Sequence, residues 1–470
     1  MNQKAEKITI FIYFSLFLII TVTLALFQPL GNTALFVNPP DEHARILIPW
    51  YIRQHGVLPT GFEEEVRIPG YGFSYGLYNT FPYVVQGYVM RLVSMFTESA
   101  RLLLYAGRFI NVLSGAAMAY VVYLLSKRLF TVAGMRWMFC FGVMYLPQCL
   151  FLHTYINTDS MCLLSTAIIV LALVYAYQDG YTIRNCLLLS GGIILCALSY
   201  YNAFGYILSS IFLFVAYFRV GNCGSSFEVR KYYDWKQMLI KGILISTIVL
   251  LGISWQFIRS YILYDGDFIG LKTRDNLAIL YAVPLVNPLT RSTYFNRGES
   301  IWAMLFGSDF MSMTFKSFVG IYGSVSIIGN SLLYNVFLIF FTIGITACMF
   351  LRKTRAGFLH NLPRWKQVFF HANMLFCIAM PVFLLLYYAY AVDFQPQGRY
   401  LMPMIIPFMY YVVRGYQKLL DLLKFSQWLR RGVIGMSILL PVSSALYMTY
   451  HLSLPLYLES GLVLDVLLRH

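Results

Sequence analysis

Eleven apolar runs dominate this chain, at roughly residues 8–28, 102–126, 137–153, 160–177, 186–200, 203–218, 242–260, 323–350, 369–390, 400–420 and 433–450. Many of them have no polar face, which a surface helix of a soluble protein requires. A bilayer core about 30 Å thick is crossed by about 20 apolar residues in helical form. The pattern therefore predicts an all-α polytopic membrane protein with about 11 (10–13) transmembrane helices. The chain is 59% hydrophobic and only 12% charged, with a mean hydropathy of +0.66. A large soluble all-α protein has too little interior to hide that apolar fraction. Two runs, 186–200 and 203–218, are short for a crossing and meet at Tyr201-Asn202, as a tight hairpin or one long tilted helix.

The formal net charge of +15 raises the question of nucleic acid, and the distribution answers it. With the N-terminus inside, the inward connectors hold Lys127, Arg128, Arg136, Arg184, the stretch Arg219 to Lys241, Arg352, Lys353, Arg355, Arg364, Lys366, Lys424, Arg430 and Arg431. The outward connectors hold most of the carboxylates, including Asp41, Glu64, Asp267, Asp275 and Asp393. That is the positive-inside signature of a membrane protein, and no nucleic-acid partner is expected. Residues 76–96 are apolar enough to span, but a crossing there would turn every later basic cluster outward. They are expected instead to lie at the interface, within a long first external loop over 29–101. A second long external region covers 261–317, and the whole of 1–470 reads as a single transmembrane domain.

The eight cysteines show no CxxC spacing, and most sit in apolar runs, so neither a metal site nor a disulfide framework is indicated. The first run follows Lys4 and Lys7 and lacks a small-residue cleavage pattern, so it reads as a retained first span.

Three polar islands fall at the outward ends of the runs. In Asn38-Pro39-Pro40-Asp41-Glu42-His43 the prolines stop a simple extension of the first helix. Asp41 then stands at the start of a helix, where its carboxylate either caps the N-terminus or does acid–base or metal chemistry, with Glu42 and His43 beside it. The second island, His153 to Ser160, contains Asn157 and Asp159. Asp159 has the same choice between helix start and site. The third, Asp393 to Tyr400, offers Gln397 and Arg399 to phosphate or sugar oxygens, with headgroup anchoring as the alternative for the arginine. Lys316 adds a positive charge at the same depth. Acids, amides and cations round one external pocket suit chemistry on a lipid-linked phosphate. No P-loop or dinucleotide fingerprint supports soluble nucleotide chemistry.

The elements Pro39-Pro40-Asp41-Glu42-His43, Tyr155-Ile156-Asn157-Thr158-Asp159, Lys316-Ser317-Phe318-Val319-Gly320 and Gln397-Gly398-Arg399-Tyr400 occur in that order. Together they resemble an uncharacterised bacterial membrane family placed among the GT-C glycosyltransferases. The resemblance runs from about residue 10 to 450. It implies a GT-C-like bundle in a bacterial plasma membrane, with a polyprenyl-phosphate sugar donor and a glycan or lipid-linked acceptor of the cell envelope. It also implies an inverting transfer in which Asp41 is catalytic or orients the catalytic site, with Glu42 as helper. Arg399 with Gln397, Lys316, Asn157, Asp159, His43 and Tyr400 would then contact the donor phosphate or sugar. A divalent metal is permitted and not compelled. The large C-terminal extracytoplasmic domain of some relatives is not expected from this sequence.

The rival class is a transporter or flippase of lipid-linked saccharides. Such a protein carries polar residues and broken helices at the bilayer midplane. Here the mid-span regions are almost uncharged and the polar islands sit at the ends, which favours an enzyme.

Overall fold

The computed structural model describes residues 3–31, 36–78, 80–220, 232–351, 359, 362–423 and 426–461. Lys231, Arg352, Lys353, Arg355 and Lys424 of the basic connectors, and Cys223, lie outside them.

The chain opens on the long apolar helix α1 (Gln3–Phe27). Three short helices follow, α2 (Glu42–Arg45), α3 (Leu47–His55) and α4 (Phe81–Ser94). At 1.5 Å per residue the 14 residues of α4 rise only about 21 Å. Residues 76–96 thus make no crossing helix; α3 packs on α4, and α4 on α5 (Ala100–Leu129), as an interfacial layer.

The run 137–153 is broken. Leu146 is extended and Pro147, which lacks an amide hydrogen, opens a new helix, so α6 (Ala133–Met144) and α7 (Pro147–Leu152) replace one span. The most buried of the helices long enough to cross a membrane, α8 (Asp159–Asp179), packs against α5 and against α9 (Ile183–Ser199) and α10 (Gly205–Tyr217). Strands β1 (Arg219–Val220) and β2 (Tyr232–Tyr233) pair before α11 (Trp235–Leu263), which Asp234 caps. The region 261–317 folds into α12 (Leu271–Tyr281), α13 (Ile301–Gly307) and the start of α14 (Phe310–Gly320).

A hairpin of β3 (Ile321–Tyr322) and β4 (Ile327–Ile328) takes the first part of the run 323–350, leaving α15 (Ser331–Phe350). Then come α16 (Arg364–Ala391), α17 (Ile405–Leu422), α18 (Gln427–Leu446), a π-helical stretch at Tyr447–Ser453 and α19 (Leu454–Ser460).

Seven helices are long and apolar enough to cross a membrane by length and composition, among the described residues: α1, α5, α8, α11, α15, α16 and the continuous stretch Gln427–Ser460. That corrects the expectation of about 11. The run 137–153 breaks at Pro147, and α9 and α10 have 17 and 13 residues. The run 400–420 starts as a 3₁₀ turn and ends in a helix bearing Arg414, Lys418 and Asp421. The all-α polytopic bundle with interfacial helices stands.

Candidate functional site

The segment after α1 is pinned by the β3–β4 turn, where the Ser324 amide donates to the Phe36 carbonyl at 2.9 Å and the Ser324 hydroxyl to that of Asn38 at 3.0 Å. Two prolines follow, and then Asp41 adopts φ +61°, a left-handed conformation that aspartate tolerates better than most residues. Its carbonyl accepts from the Arg45 amide at 2.9 Å and so starts α2, but its carboxylate caps nothing. Instead Asp41 Oδ2 accepts from Arg399 Nη2 at 2.8 Å and lies 3.9 Å from Arg45 Nη2. The Asp41 side chain keeps 38% of its surface, against 5% for Arg399 and 6% for Arg45. The acid is thus the open member of a group whose cations are deeply set. Burial raises the Asp41 pKa, but the charges of Arg399 and then Arg45 outweigh it and hold the carboxyl below the usual carboxylate range.

Glu42 faces the other way. Arg108 Nε and Nη2 donate to its two oxygens at 2.9 and 2.6 Å, and the Ile156 amide donates to Oε1 at 2.8 Å. Arg108 Nη1 also donates to the Ala25 and Gln28 carbonyls at 2.9 and 2.8 Å, near the end of α1. This fully buried pair fastens α1, α2, α5 and the loop before α8 to one another.

In that loop Asn157 uses its whole amide locally. Its Nδ2 donates to the Leu152 and Tyr155 carbonyls at 2.9 and 2.8 Å, and its Oδ1 accepts from the Ser160 amide at 3.0 Å. Asn157 therefore performs the capping work that the sequence left open for Asp159. Asp159 opens α8 and instead sits 3.8 Å from Arg45 Nη1. Arg45 completes the junction by donating to Thr158 Oγ1 at 3.3 Å and to the Tyr83 hydroxyl at 3.4 Å.

The third island is locked by close packing. A Cβ on Gly398 would lie 2.2 Å from the Phe318 amide nitrogen and 2.4 Å from the Thr314 carbonyl, so only glycine lets the 398–404 turn rest on α14. The Gly398 amide donates to Ser317 Oγ at 2.5 Å. The motifs 316–320 and 397–400 are thus two halves of one contact, and the contact aims Arg399. Its Nη2 also donates to the Tyr400 hydroxyl at 3.0 Å, which donates to Gln395 Oε1 at 2.6 Å.

Buried polar atoms without a hydrogen-bond partner among the described residues gather here: Arg399 Nε and Nη1, Arg45 Nε, Asp159 Oδ2, the Tyr155 hydroxyl and His43 Nδ1. Such atoms are rare in folded proteins, and a concentration of them marks a polar space for water or a ligand. Burial pushes the Tyr155 hydroxyl well up, so it remains a donor.

The structure thus joins Asp41, Asp159, Arg399 and Tyr400 through direct contacts or through Arg45. Glu42 and Asn157 come into the same junction with their side chains already engaged. Gln397 begins the Arg399 turn and Lys316 lies on α14, both half-buried and neither with a side-chain partner among the described residues. Sequence reasoning missed Arg45 and Arg108. Arg45 stands four residues after Asp41, the spacing of one helical turn, and Arg108 is a lone charge inside an apolar run. Either fact was a usable signal. For a metal, the described residues contain no group of three or more His, Cys, Asp or Glu side chains.

No protein-family model and no curated protein matches the chain. Solved structures of the Archaeoglobus fulgidus oligosaccharyltransferase do match its fold. The enzyme, AglB, in complex with an inhibitory peptide and a dolichol-phosphate superposes with a TM-score of 0.52 at 14% identity, over 96% of this chain and 56% of that one. Its complex with Zn and sulfate gives 0.50 at 14% identity, over 96% and 53%. The apo form gives 0.51 at 14% identity, over 96% and 56%. This chain therefore spans little more than half the length of those chains, and the likeness is one of fold.

Proposed function

We propose that the chain is an inverting membrane glycosyltransferase that moves a sugar from a polyprenyl-phosphate donor to a hydroxyl of a cell-envelope glycan or lipid-linked acceptor, at the extracytoplasmic face. One observation carries this reading: an accessible carboxylate at 2.8 Å from a buried arginine whose Nε and Nη1 have no hydrogen-bond partner among the described residues. In the transfer, the acceptor oxygen attacks the anomeric carbon from the face opposite the phosphate while Asp41 takes its proton. The bond from the anomeric carbon to the phosphate oxygen breaks, and its electron pair leaves with the phosphate. Arg399, with Arg45 behind it, stabilises that developing charge in a site of low dielectric. The ground-state carboxylate is ionised but held weakly basic by its two arginines. An anionic phosphate on Arg399 offsets part of that charge and makes Asp41 a better proton acceptor. The dolichol-phosphate in the archaeal enzyme supports a lipid phosphate as the donor class.

A divalent ion, present as zinc in one archaeal structure, does not fit the residues here. Asp41 and Asp159 each already face an arginine, and no group of three or more His, Cys, Asp or Glu side chains forms among the described residues. Neutralisation of the leaving phosphate thus falls to guanidinium groups. Glu42 and Asn157 hold the frame in this reading, whereas Gln397, Lys316, His43 and Tyr400 border the donor.

The test uses purified protein in detergent, a labelled polyprenyl-phosphate sugar and native membranes as the acceptor source. Label should pass to acceptor without sealed vesicles. Asp41→Asn keeps the left-handed backbone and removes the base, so donor binding stays and turnover falls roughly 10²–10⁴-fold. Near-normal turnover by that variant removes Asp41 from the base role. Vesicle-dependent movement with no new glycosidic bond replaces the enzyme by a flippase.

A further inference from the structure

Beside the Asp41 centre the chain builds an aromatic ledge. The run Gly70-Tyr71-Gly72-Phe73-Ser74-Tyr75-Gly76-Leu77-Tyr78 interleaves glycines with rings. The Tyr75 ring lies 6.1 Å from that of Tyr78, which lies 6.3 Å from that of Tyr201. Phe73 backs both of the first two, at 6.0 and 6.3 Å. One end of the row joins the centre, because the Arg45 guanidinium sits 5.1 Å from the Tyr75 ring. The other end carries Arg274, 5.9 Å from the Tyr78 ring and bonded through Nε to Asp275 at 2.7 Å.

The ledge is rigid. A Cβ on Gly72 would lie 2.6 Å from the Ala282 amide nitrogen, and one on Gly270 would lie 2.1 Å from the Leu77 carbonyl oxygen. The 70–78 loop therefore meets both ends of α12 backbone to backbone. Tyr75, Tyr78 and Tyr201 are all half-buried, so each ring is held in place yet keeps an accessible part. An apolar core or a lipid groove would be lined by Leu and Ile. A row of tyrosines edged by a guanidinium and a half-exposed carboxylate presents flat apolar faces and a rim of hydrogen-bonding groups. A pyranose ring has the complementary surface, with C–H faces and a hydroxyl edge.

We infer that Tyr75, Tyr78 and Tyr201, with Arg274 and Asp275, form a carbohydrate subsite that holds a sugar ring against the Asp41 centre. The inference rests on the sugar-transfer reading above and adds what recognises the sugar. The ring belongs to the donor or to the acceptor, and the experiment separates the two.

Wild type, Tyr75→Leu, Tyr78→Leu and Tyr78→Phe are reconstituted in nanodiscs. Affinity is measured for a short-chain polyprenyl phosphate, for a panel of its hexosyl and pentosyl esters, and for soluble oligosaccharides of the same sugars added over saturating polyprenyl phosphate. If the ring is the donor's, at least one ester binds wild type about tenfold tighter than the bare lipid phosphate. Both leucine variants then lose that margin without weakening the bare lipid, and Tyr78→Phe retains most of it. If the ring is the acceptor's, the same pattern is confined to the oligosaccharides. Ledge variants that weaken bare lipid phosphate equally, or that alter no sugar-dependent binding in either arm, overturn the inference. Arg399→Gln serves as the separate control. It should weaken bare and glycosylated lipid phosphate alike, and an unchanged affinity there counts against the transfer centre rather than the ledge.

Discussion

Arg108→Met tests the frame that holds the site. The substitution keeps an unbranched side chain in α5 and removes a guanidinium that donates to both Glu42 oxygens and to the Ala25 and Gln28 carbonyls. Glu42 would remain fully buried with one donor, the Ile156 amide. Removing one partner of a buried ion pair costs about 3–5 kcal/mol. Each orphaned carbonyl adds up to about 1–3 kcal/mol where water cannot reach it. Relaxation makes these terms less than additive, so a loss of about 4–6 kcal/mol is expected. Glu42→Gln should cost about 3–5 kcal/mol by stranding the arginine. The double variant strands no charge and should cost less than the sum by about 2–3 kcal/mol. Reversible unfolding in dodecylmaltoside micelles titrated with dodecyl sulfate, followed by far-ultraviolet circular dichroism, measures all three. An Arg108→Met loss under about 1 kcal/mol, or an additive cycle, would falsify the claim that this pair fastens α1 to the site.

Three further outcomes follow from the geometry. Asp41 titrates below the usual carboxylate range because Arg399 and Arg45 overcome burial, so the acid limb of kcat/KM, which reports the free enzyme, should lie below that range. Arg399→Gln leaves burial opposed chiefly by Arg45, and the limb must move upward; a limb that stays put would refute the pairing. Gly398→Ala pushes a methyl group into the Phe318 and Thr314 backbone and should displace Arg399, with a loss of activity on the order of 10²-fold. Normal turnover by that variant would show that the turn is not what aims the arginine. Cysteines placed at Glu64 and Asp267 should react with an impermeant thiol reagent from one side of the membrane and one at Arg364 from the other. Labelling of all three from one side would contradict the extracytoplasmic placement of the site.

Apolar runs made α1, α5, α8, α11 and α16 legible, because length and hydropathy suffice for a helix that meets lipid. They failed where backbone chemistry interrupts an apolar run. Pro147 ends a helix without altering the composition around it. The segment 321–328 is apolar yet turns back as a hairpin through Gly323 and Val325, both at positive φ. At the site, Asp41, Asp159 and Arg399 stood out as polar islands between spans. Their connection did not, since Asp41 and Arg399 meet across 358 positions. The role of Glu42 depends on Arg108, 66 residues away and hidden inside a span. Periodicity sees neighbours along one helix, and this site is made between helices.

The left-handed backbone at Asp41 bears on how its substitutions would be read in a genetic screen. Glycine, asparagine and aspartate occupy that conformation at low cost, whereas β-branched and bulky side chains are strained there. A saturation library at this codon should therefore sort into two thresholds. Protein abundance should survive for Gly, Asn and Asp, and sugar transfer for Asp alone. A lineage under selection would keep the codon nearly fixed even if the carboxylate did nothing, because the alphabet is narrowed by conformation before chemistry acts. Invariance at 41 thus counts as support for catalysis only to the extent that Asn, which fits the backbone equally well, is excluded.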